Sequence, residues 1–287
     1  MCIVLFPKGY AGMKKITNII ALLALFCAAA NAEEWTYAKF LKAMEDSGRK
    51  TSLPESDFDK MRQRREKTLV SIETYLKGKF GKADTSTVAA FGAVPREYFH
   101  YNYEKKESMA EQAYEDKAKP WSIGYGSALS DYLGQLYMTQ LAAPKPADVV
   151  LEIGMGSGYQ IALLSRMVKE AYSIEIIKPL GEGVDRIFAP LGYTNVHTRV
   201  GDGFFGWKEV QGGFDIIIVT CSARFVPPAL LEQLKAGGRL IIPIGQPYKR
   251  GQALYVYQKD KDGKVSSKKD MGVYFIPMKG EMETNKK

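Results

Sequence analysis

Val149-Val150-Leu151-Glu152-Ile153-Gly154-Met155-Gly156-Ser157-Gly158-Tyr159 is the stretch that decides how this chain folds. A nearly all-apolar run enters a glycine-rich turn and an amphipathic stretch follows, which reads as buried strand, loop and helix. Glycines let the backbone turn sharply and approach a ligand where a Cβ would collide. Their spacing separates ligand classes. A dinucleotide site wants GxGxxG, its third glycine packing helix on strand beside a pyrophosphate. Here the glycines fall at 154, 156 and 158, and Tyr159 takes the third-glycine place of that fingerprint. Alone, such a loop is equally a plain turn, so its neighbours must decide.

Downstream, short apolar runs alternate with helical stretches. The runs are Val149–Ile153, Ala171–Ile177, Val196–Val200, Phe214–Thr220 and Arg239–Ile244; Tyr159–Lys169, Leu180–Leu191 and Pro228–Lys235 lie between them. Gly237-Gly238 reads as the C-cap of the last helix. Apolar strands separated by helices predict an α/β fold, a mostly parallel sheet with helices on both faces. After Ile244, Ala253–Gln258 and Gly272–Pro277 flank a polar Lys-Asp-Lys-Asp-Gly-Lys turn and predict a C-terminal antiparallel hairpin.

Carboxylates then fall at the ends of successive strands. Glu152 ends the first. Glu175 ends the second, 17 residues beyond Gly158, and its two oxygens can accept both hydroxyls of a ribose. Asp202, between Gly201 and Gly203 after the third strand, can receive an adenine amino group. Each alone could be an ordinary surface acid or turn. In this order they fit one adenosyl ligand lying across the carboxyl edge of the sheet.

The N-terminus has a different character. Lys14-Lys15, the apolar run Ile16–Ala30 and the exit Ala30-Asn31-Ala32 have the three parts of a secretory signal peptide, with Met13 as the better start. The run is shorter than the roughly 20 residues of a stable span, so residues 1–32 are expected to be cleaved, leaving no membrane span and an exported or periplasmic protein. Cys2 and Cys27 leave with them, and Cys221 alone cannot form an internal disulfide. Residues 33–93 read as a helical accessory region. In it, Ser56 would cap a helix from about Asp57, and Lys77-Gly78 would stop it. Residues 94–287 form the remaining domain. The net charge of +8 is scattered, with Lys8, Lys14 and Lys15 in the leader, and no motif for nucleic acid accompanies it. With two histidines and no CxxC, no metal site is expected.

Several further stretches carry a family resemblance. Val94-Pro95-Arg96-Glu97-Tyr98-Phe99, Ala113-Tyr114-Glu115-Asp116 and Ile123-Gly124-Tyr125-Gly126-Ser127-Ala128-Leu129-Ser130 precede the glycine loop. Gly206-Trp207, Ala229–Gly238, Ile242-Pro243-Ile244-Gly245 and Phe275-Ile276-Pro277 follow it. Over about residues 67–280 the chain resembles the protein-L-isoaspartate (D-aspartate) O-methyltransferases, whose fold is the Rossmann-like class I methyltransferase fold. The resemblance implies S-adenosyl-L-methionine as cofactor, held by Ser127, Ala128, Leu129, Glu152, Gly154, Gly156, Ser157, Gly158, Glu175, Asp202 and Gly203. Glu152 would sit near the cofactor's cationic methionine end.

The family's loop before the first core helix usually reads GQTIS, and its Ser corresponds to Ser130. Ser127 and Ala128 stand where the family has Gln and Thr, and Asp131-Tyr132 where it has Gln-Pro. The resemblance makes Ser130 the catalytic and substrate-orienting residue, with Thr220, Cys221 and Ser222 holding the substrate's main chain. Ser130 could equally be a helix N-cap. The implied reaction esterifies the free carboxylate of L-isoaspartyl or D-aspartyl residues in damaged proteins. That carboxylate is already ionised at neutral pH, so no strong protein base is needed. The ester is a better leaving group, the succinimide re-forms, and some chains return to normal linkage. A monomer acting on damaged proteins is expected. The other readings are a methyltransferase of this fold with another acceptor, and an exported binding protein without catalysis; a cytoplasmic location is the family's usual one.

Overall fold

Proline and glycine set the helix boundaries of the N-terminal stretch. The computed structural model describes residues 35–285, so the expected leader lies outside the described residues. Helix α1 (Tyr37–Asp46) buries Phe40, Ala43 and Met44. Helix α2 (Glu55–Phe80) starts behind Pro54 and ends at Gly81, earlier and later than the expected Ser56 cap and Lys77-Gly78 stop. Glu55 and Asp57 favour that start by lying in the positive first turn. Gly78 is tolerated inside because a helical glycine costs only about 1 kcal/mol. Gly81 adopts φ +76 and donates its N–H to the Lys77 carbonyl, which closes the helix. Helix α3 (Thr85–Ala93) is capped by Asp84, which accepts the Thr87 N–H at 2.8 Å. The short α4 (Arg96–Phe99) is buried at all four residues.

Two antiparallel ribbons follow: β1 (Tyr101–Asn102) with β2 (Glu107–Ser108), and β3 (Trp121–Gly124) with β4 (Ser127–Leu129). Helix α5 (Tyr132–Ala142) leads to the main sheet. Strand β5 (Val149–Ile153) passes through the glycine loop into α6 (Tyr159–Ser165); β6 (Glu170–Glu175) leads to α7 (Lys178–Asp185) and β7 (Val196–Val200). The chain then crosses back to β8 (Phe214–Val219), α8 (Pro228–Glu232) and β9 (Leu234–Ile244). Strands β10 (Ala253–Lys259) and β11 (Val265–Gly272) form the terminal hairpin, before a last turn of helix, α9 (Glu281–Thr284).

The sheet order is β11-β10-β9-β8-β5-β6-β7. Pairing is parallel from β7 through β9, and β10 and β11 are antiparallel. The expected Rossmann-like class I methyltransferase architecture is present. Strands β6 and β8 flank β5 and are reached by connections running in opposite directions, so a crevice opens at the carboxyl end of β5. Leu151, Ile153, Ile174, Ile217, Val219, Leu240 and Ile242 belong to one buried cluster. Each such side chain contributes about 1.5–3 kcal/mol relative to exposure.

Two expected elements are displaced. Gly237-Gly238 does not cap α8, which ends at Gln233; both glycines lie within β9. Leu234 pairs with Phe214 and Arg239 with Ile216, so the intervening residues form an irregularity that the glycines accommodate. The second hairpin strand is Val265–Gly272, not Gly272–Pro277. It is a polar edge strand, exposed along nearly its whole length. The apolar Val273–Pro277 instead runs over the carboxyl edge, where Phe275 donates its N–H to Gln252 Oε1 at 2.6 Å. Among the described residues no helix is long and apolar enough to cross a membrane.

Candidate active site

The glycine loop is shaped by close approach. Gly154 has φ +95, and a Cβ there would lie 2.6 Å from Thr220 Oγ1. That hydroxyl donates to the Ile153 and Gly154 carbonyls, joining the ends of β5 and β8. At Gly158, with φ +82, a Cβ would lie 2.8 Å from Val184 Cγ1 and 2.9 Å from the Phe188 ring. Gly158 therefore serves helix packing.

A cavity of about 660 Å³ opens beside this loop. Ser127, Ala128, Leu129 and Ser130 line it from β4 and the turn after it; Glu152, Gly154, Gly156 and Ser157 from β5 and its loop; Glu175, Gly203, Thr220 and Cys221 from the ends of the neighbouring strands. Gly158, Asp202 and Ser222 are not in its wall. Asp202 accepts the N–H of Phe204 at 2.9 Å and of Glu281 at 2.7 Å, so the C-terminal turn engages the carboxylate expected at the adenine. Ser222 is buried; its N–H donates to the Ile276 carbonyl and its own carbonyl accepts from Met278, which clips the C-terminal segment onto the sheet edge.

The two acids in the wall differ in their partners. Glu175 accepts main-chain N–H groups with both oxygens, from Gly156 at 2.9 Å and Ile177 at 3.0 Å. Burial raises its pKa against those donors and nearby Lys279. Glu152 is fully buried, and its Oε2 accepts the Ser173 hydroxyl at 2.6 Å. Its Oε1 is buried with no partner among the described residues. Burial lifts its pKa well above the usual range; the Ser173 bond opposes this and Glu175 adds to it. A buried carboxyl oxygen with no partner beside a ligand-sized cavity is suited to a cationic or hydrogen-donating group. The Cys221 thiol is likewise pushed up by burial and by Glu175, Glu152 and Asp202, so it is held as a neutral thiol.

Ser130 lies between β4 and α5 and is not the cap of α5. Asp131 is, accepting the Gly134 N–H at 2.8 Å. The wall also contains residues that spacing did not single out: Tyr75 of α2, Tyr137 and Met138 of α5, Gln160 of α6, and the segment Met271–Lys279. Tyr137 donates to Asp270 at 2.6 Å, tying α5 to the terminal hairpin across this side of the cavity. An aromatic-rich segment after the hairpin was the available signal for the last group. Tyr75 on a mostly polar helix gave none. Among the described residues no cluster of His, Cys, Asp and Glu could hold a metal ion.

The sequence pattern of the protein-L-isoaspartate(D-aspartate) O-methyltransferase family matches residues 66–283. This chain belongs to that family. It is 39% identical over 198 residues to protein-L-isoaspartate O-methyltransferase 2 of Polaromonas sp., covering 69% of this chain and 90% of the relative. Protein-L-isoaspartate O-methyltransferase 1 of Nitrosospira multiformis is 47% identical over 161 residues, covering 56% and 67%. Among solved structures, a protein-L-isoaspartate O-methyltransferase superposes with a TM-score of 0.65 at 29% identity, over 76% of this chain and 67% of that one. A putative protein-L-isoaspartate O-methyltransferase from Plasmodium falciparum, solved with S-adenosyl-L-homocysteine, gives 0.58 at 25% identity over 73% and 97%. The family match begins inside α2, so Tyr75 of the cavity wall belongs to the shared part of the fold.

Proposed function

We propose that this protein is a protein-L-isoaspartate O-methyltransferase, transferring a methyl group from S-adenosyl-L-methionine to the free carboxylate of L-isoaspartyl and D-aspartyl residues in damaged proteins. The observation that carries the reading is the shared cavity: Glu152, Glu175 and Ser130 line one hollow at the carboxyl edge of a sheet of this family. The partnerless Glu152 oxygen and the positive-φ glycine loop suit an adenosyl ligand with a cationic end. Bound there, S-adenosyl-L-methionine supplies an electrophilic methyl on a sulfonium, which the acceptor carboxylate takes by in-line displacement.

The chain's own residues bind, orient and exclude water. Glu152 faces the cationic methionine end, and Glu175 meets the ribose while it holds the glycine loop through Gly156. Asp202 lies next to Gly203 of the wall and is engaged by the C-terminal turn. Gly203 supports the adenine side, and the C-terminal turn that donates to Asp202 stands between that carboxylate and the cavity wall. Ser130 has no hydrogen-bond partner for its hydroxyl among the described residues, which leaves it available to orient the acceptor carboxylate. The Cys221 thiol and the Thr220 carbonyl side lie where a substrate main chain would pass. The apolar wall from Tyr137, Met138 and Val273–Pro277 keeps water from the reacting carboxylate. No general base enters, because the nucleophile is ionised.

Protein lacking residues 1–32 should transfer labelled methyl from S-adenosyl-L-methionine to an isoaspartyl peptide and not to its aspartyl twin. Equal labelling of the two peptides, or of neither, defeats the reading. Lys14-Lys15, the apolar run and Ala30-Asn31-Ala32 support cleavage of the leader and export. Cell fractionation and mass spectrometry of the mature N-terminus test that part.

A further inference from the structure

We propose that Arg96 is a positioning residue that holds the main chain of the Ser130 turn and so fixes the place from which the Ser130 hydroxyl meets the acceptor. The inference rests on the proposed function above. Ser130 lies one residue beyond the last ladder pair of β4, Trp121 with Leu129, and one residue before the Asp131 cap. Neither element holds its main-chain carbonyl. Arg96 does: Nη2 donates to the Ser130 carbonyl at 2.7 Å, and Nη1 donates to Gln135 Oε1 of α5 at 2.6 Å. The planar fork thus grips the turn before α5 and the first turn of that helix at once, which a lysine's single ammonium cannot do in the same geometry.

The guanidinium also reaches the other half of the cavity. Its carbon lies 4.6 Å from the ring centroid of Tyr159, the first residue of α6, which follows Gly158. One side chain therefore touches both the turn that presents the acceptor-side hydroxyl and the helix that anchors the glycine loop. Its own seat is firm. Arg96 is 1% exposed; its N–H donates to the Tyr114 hydroxyl, which in turn donates to Glu97. Removing a guanidinium from water is costly, and here the charge is spent on two neutral oxygens that fix a catalytic turn. Asp131 completes the arrangement from the other side by capping α5, so the Ser130 peptide unit is held at both ends.

Arg96→Lys keeps a cation and loses the fork. Gln135→Leu removes the fork's anchor on α5 and leaves Arg96 and Ser130 in place, which covers the case in which the arginine variant fails to fold. Each is expected to lower kcat for an isoaspartyl peptide by roughly 10- to 100-fold, the loss that a misplacement of about 1 Å produces. Affinity for S-adenosyl-L-homocysteine should hold, while amide exchange at Asp131–Leu133 quickens. In a double-mutant cycle, Arg96→Lys should add little to Ser130→Ala, since both act through one hydroxyl. Wild-type kcat in both variants, losses that multiply with Ser130→Ala, or a fall in cofactor affinity that matches the fall in kcat would each overturn the proposal. Should the wild-type protein not label the peptide at all, the proposed function fails separately. Amide exchange in Arg96→Lys then decides this one: faster exchange confined to the Ser130 turn supports it, and unchanged exchange sinks it.

Discussion

Glu175 Oε2 lies 2.9 Å from the main-chain nitrogen of Gly156, so the acid expected to meet the ribose is also the acid that holds the glycine loop. Its other oxygen accepts from Ile177 at 3.0 Å, fixing the start of α7. One carboxylate thus ties together the loop after β5 and the turn after β6, the two segments between which an adenosyl ligand would lie.

Replacing Glu175 by Gln should therefore damage binding and loop order together. The amide retains one acceptor oxygen and turns an N–H₂ toward a main-chain donor, leaving that donor unpaired. A buried unpaired group costs about 1–3 kcal/mol. Affinity for S-adenosyl-L-homocysteine, measured by calorimetry, should drop at least about 10-fold, with thermal stability lowered in the same variant. Unchanged affinity would remove Glu175 from the cofactor site.

Glu152 predicts the pH dependence. In the free protein its carboxyl is buried with a raised pKa, so it carries a proton above the ordinary carboxylate range. A cationic ligand end favours the ionised form, so binding should release a proton and tighten as pH rises toward the pKa of the free protein. Calorimetry in buffers of different ionisation enthalpy reads the proton directly, and Glu152→Gln should abolish its release. The same raised pKa makes the folded state bind more protons than the unfolded chain. Stability from this group is complete below the unfolded value of 4.5 and is lost as pH climbs through the folded value, a slope that Glu152→Gln should flatten.

The sheet centre was legible in the residues and its margins were not. Strand β5 has the bounds expected from its apolar run because a parallel strand with covered faces leaves little room for polar residues, whereas edge strand β7 keeps its expected bounds with His197, Thr198 and Arg199 only half-buried. Edge strand β11 lies in solvent, so its polar Ser-Ser-Lys-Lys-Asp run carries no strand signal, while the apolar stretch after it has the composition of a strand. Gly237-Gly238 has the composition of a helix stop but serves an irregularity in β9, a distinction that depends on pairing with β8. In the cavity, Glu152 and Glu175 are readable because each stands at the C-terminal end of a main-sheet strand, whereas Ser130 is readable only through the family resemblance of its loop. Arg96 reaches Ser130 across 34 residues of sequence, and that partnership exists only in the folded chain.

The C-terminal turn predicts a stability effect that also bears on the cofactor. Met282 is 2% exposed and packs into the main core cluster, and Arg224 donates to the Met282 and Asn285 carbonyls. Met282→Ala should cost roughly 2 kcal/mol, the low end for buried methionine because a terminal segment can relax. Denaturant unfolding measures this. Because Asp202 accepts the Glu281 N–H, loosening the turn frees that carboxylate, and S-adenosyl-L-homocysteine should bind with changed affinity even though Met282 is not in the cavity wall. An affinity equal to wild type would mean that Asp202 and the turn do not compete with the ligand.

The pair Ser130 and Asp131 separates catalysis from folding within one turn. Asp131 caps α5 through the Gly134 N–H, so Asp131→Ala should cost about 1 kcal/mol of stability. Ser130 caps nothing, and its side chain makes no hydrogen bond among the described residues, so Ser130→Ala should leave the melting temperature nearly unchanged. Its effect should fall on kcat, by about 10-fold or more if the hydroxyl orients the acceptor carboxylate in the transition state. Steady-state kinetics with an isoaspartyl peptide, alongside calorimetric affinity for S-adenosyl-L-homocysteine, distinguishes the two roles. A Ser130→Ala protein with full kcat would leave the acceptor to be oriented by the main chain around Thr220 and Cys221, and would remove the hydroxyl from the mechanism.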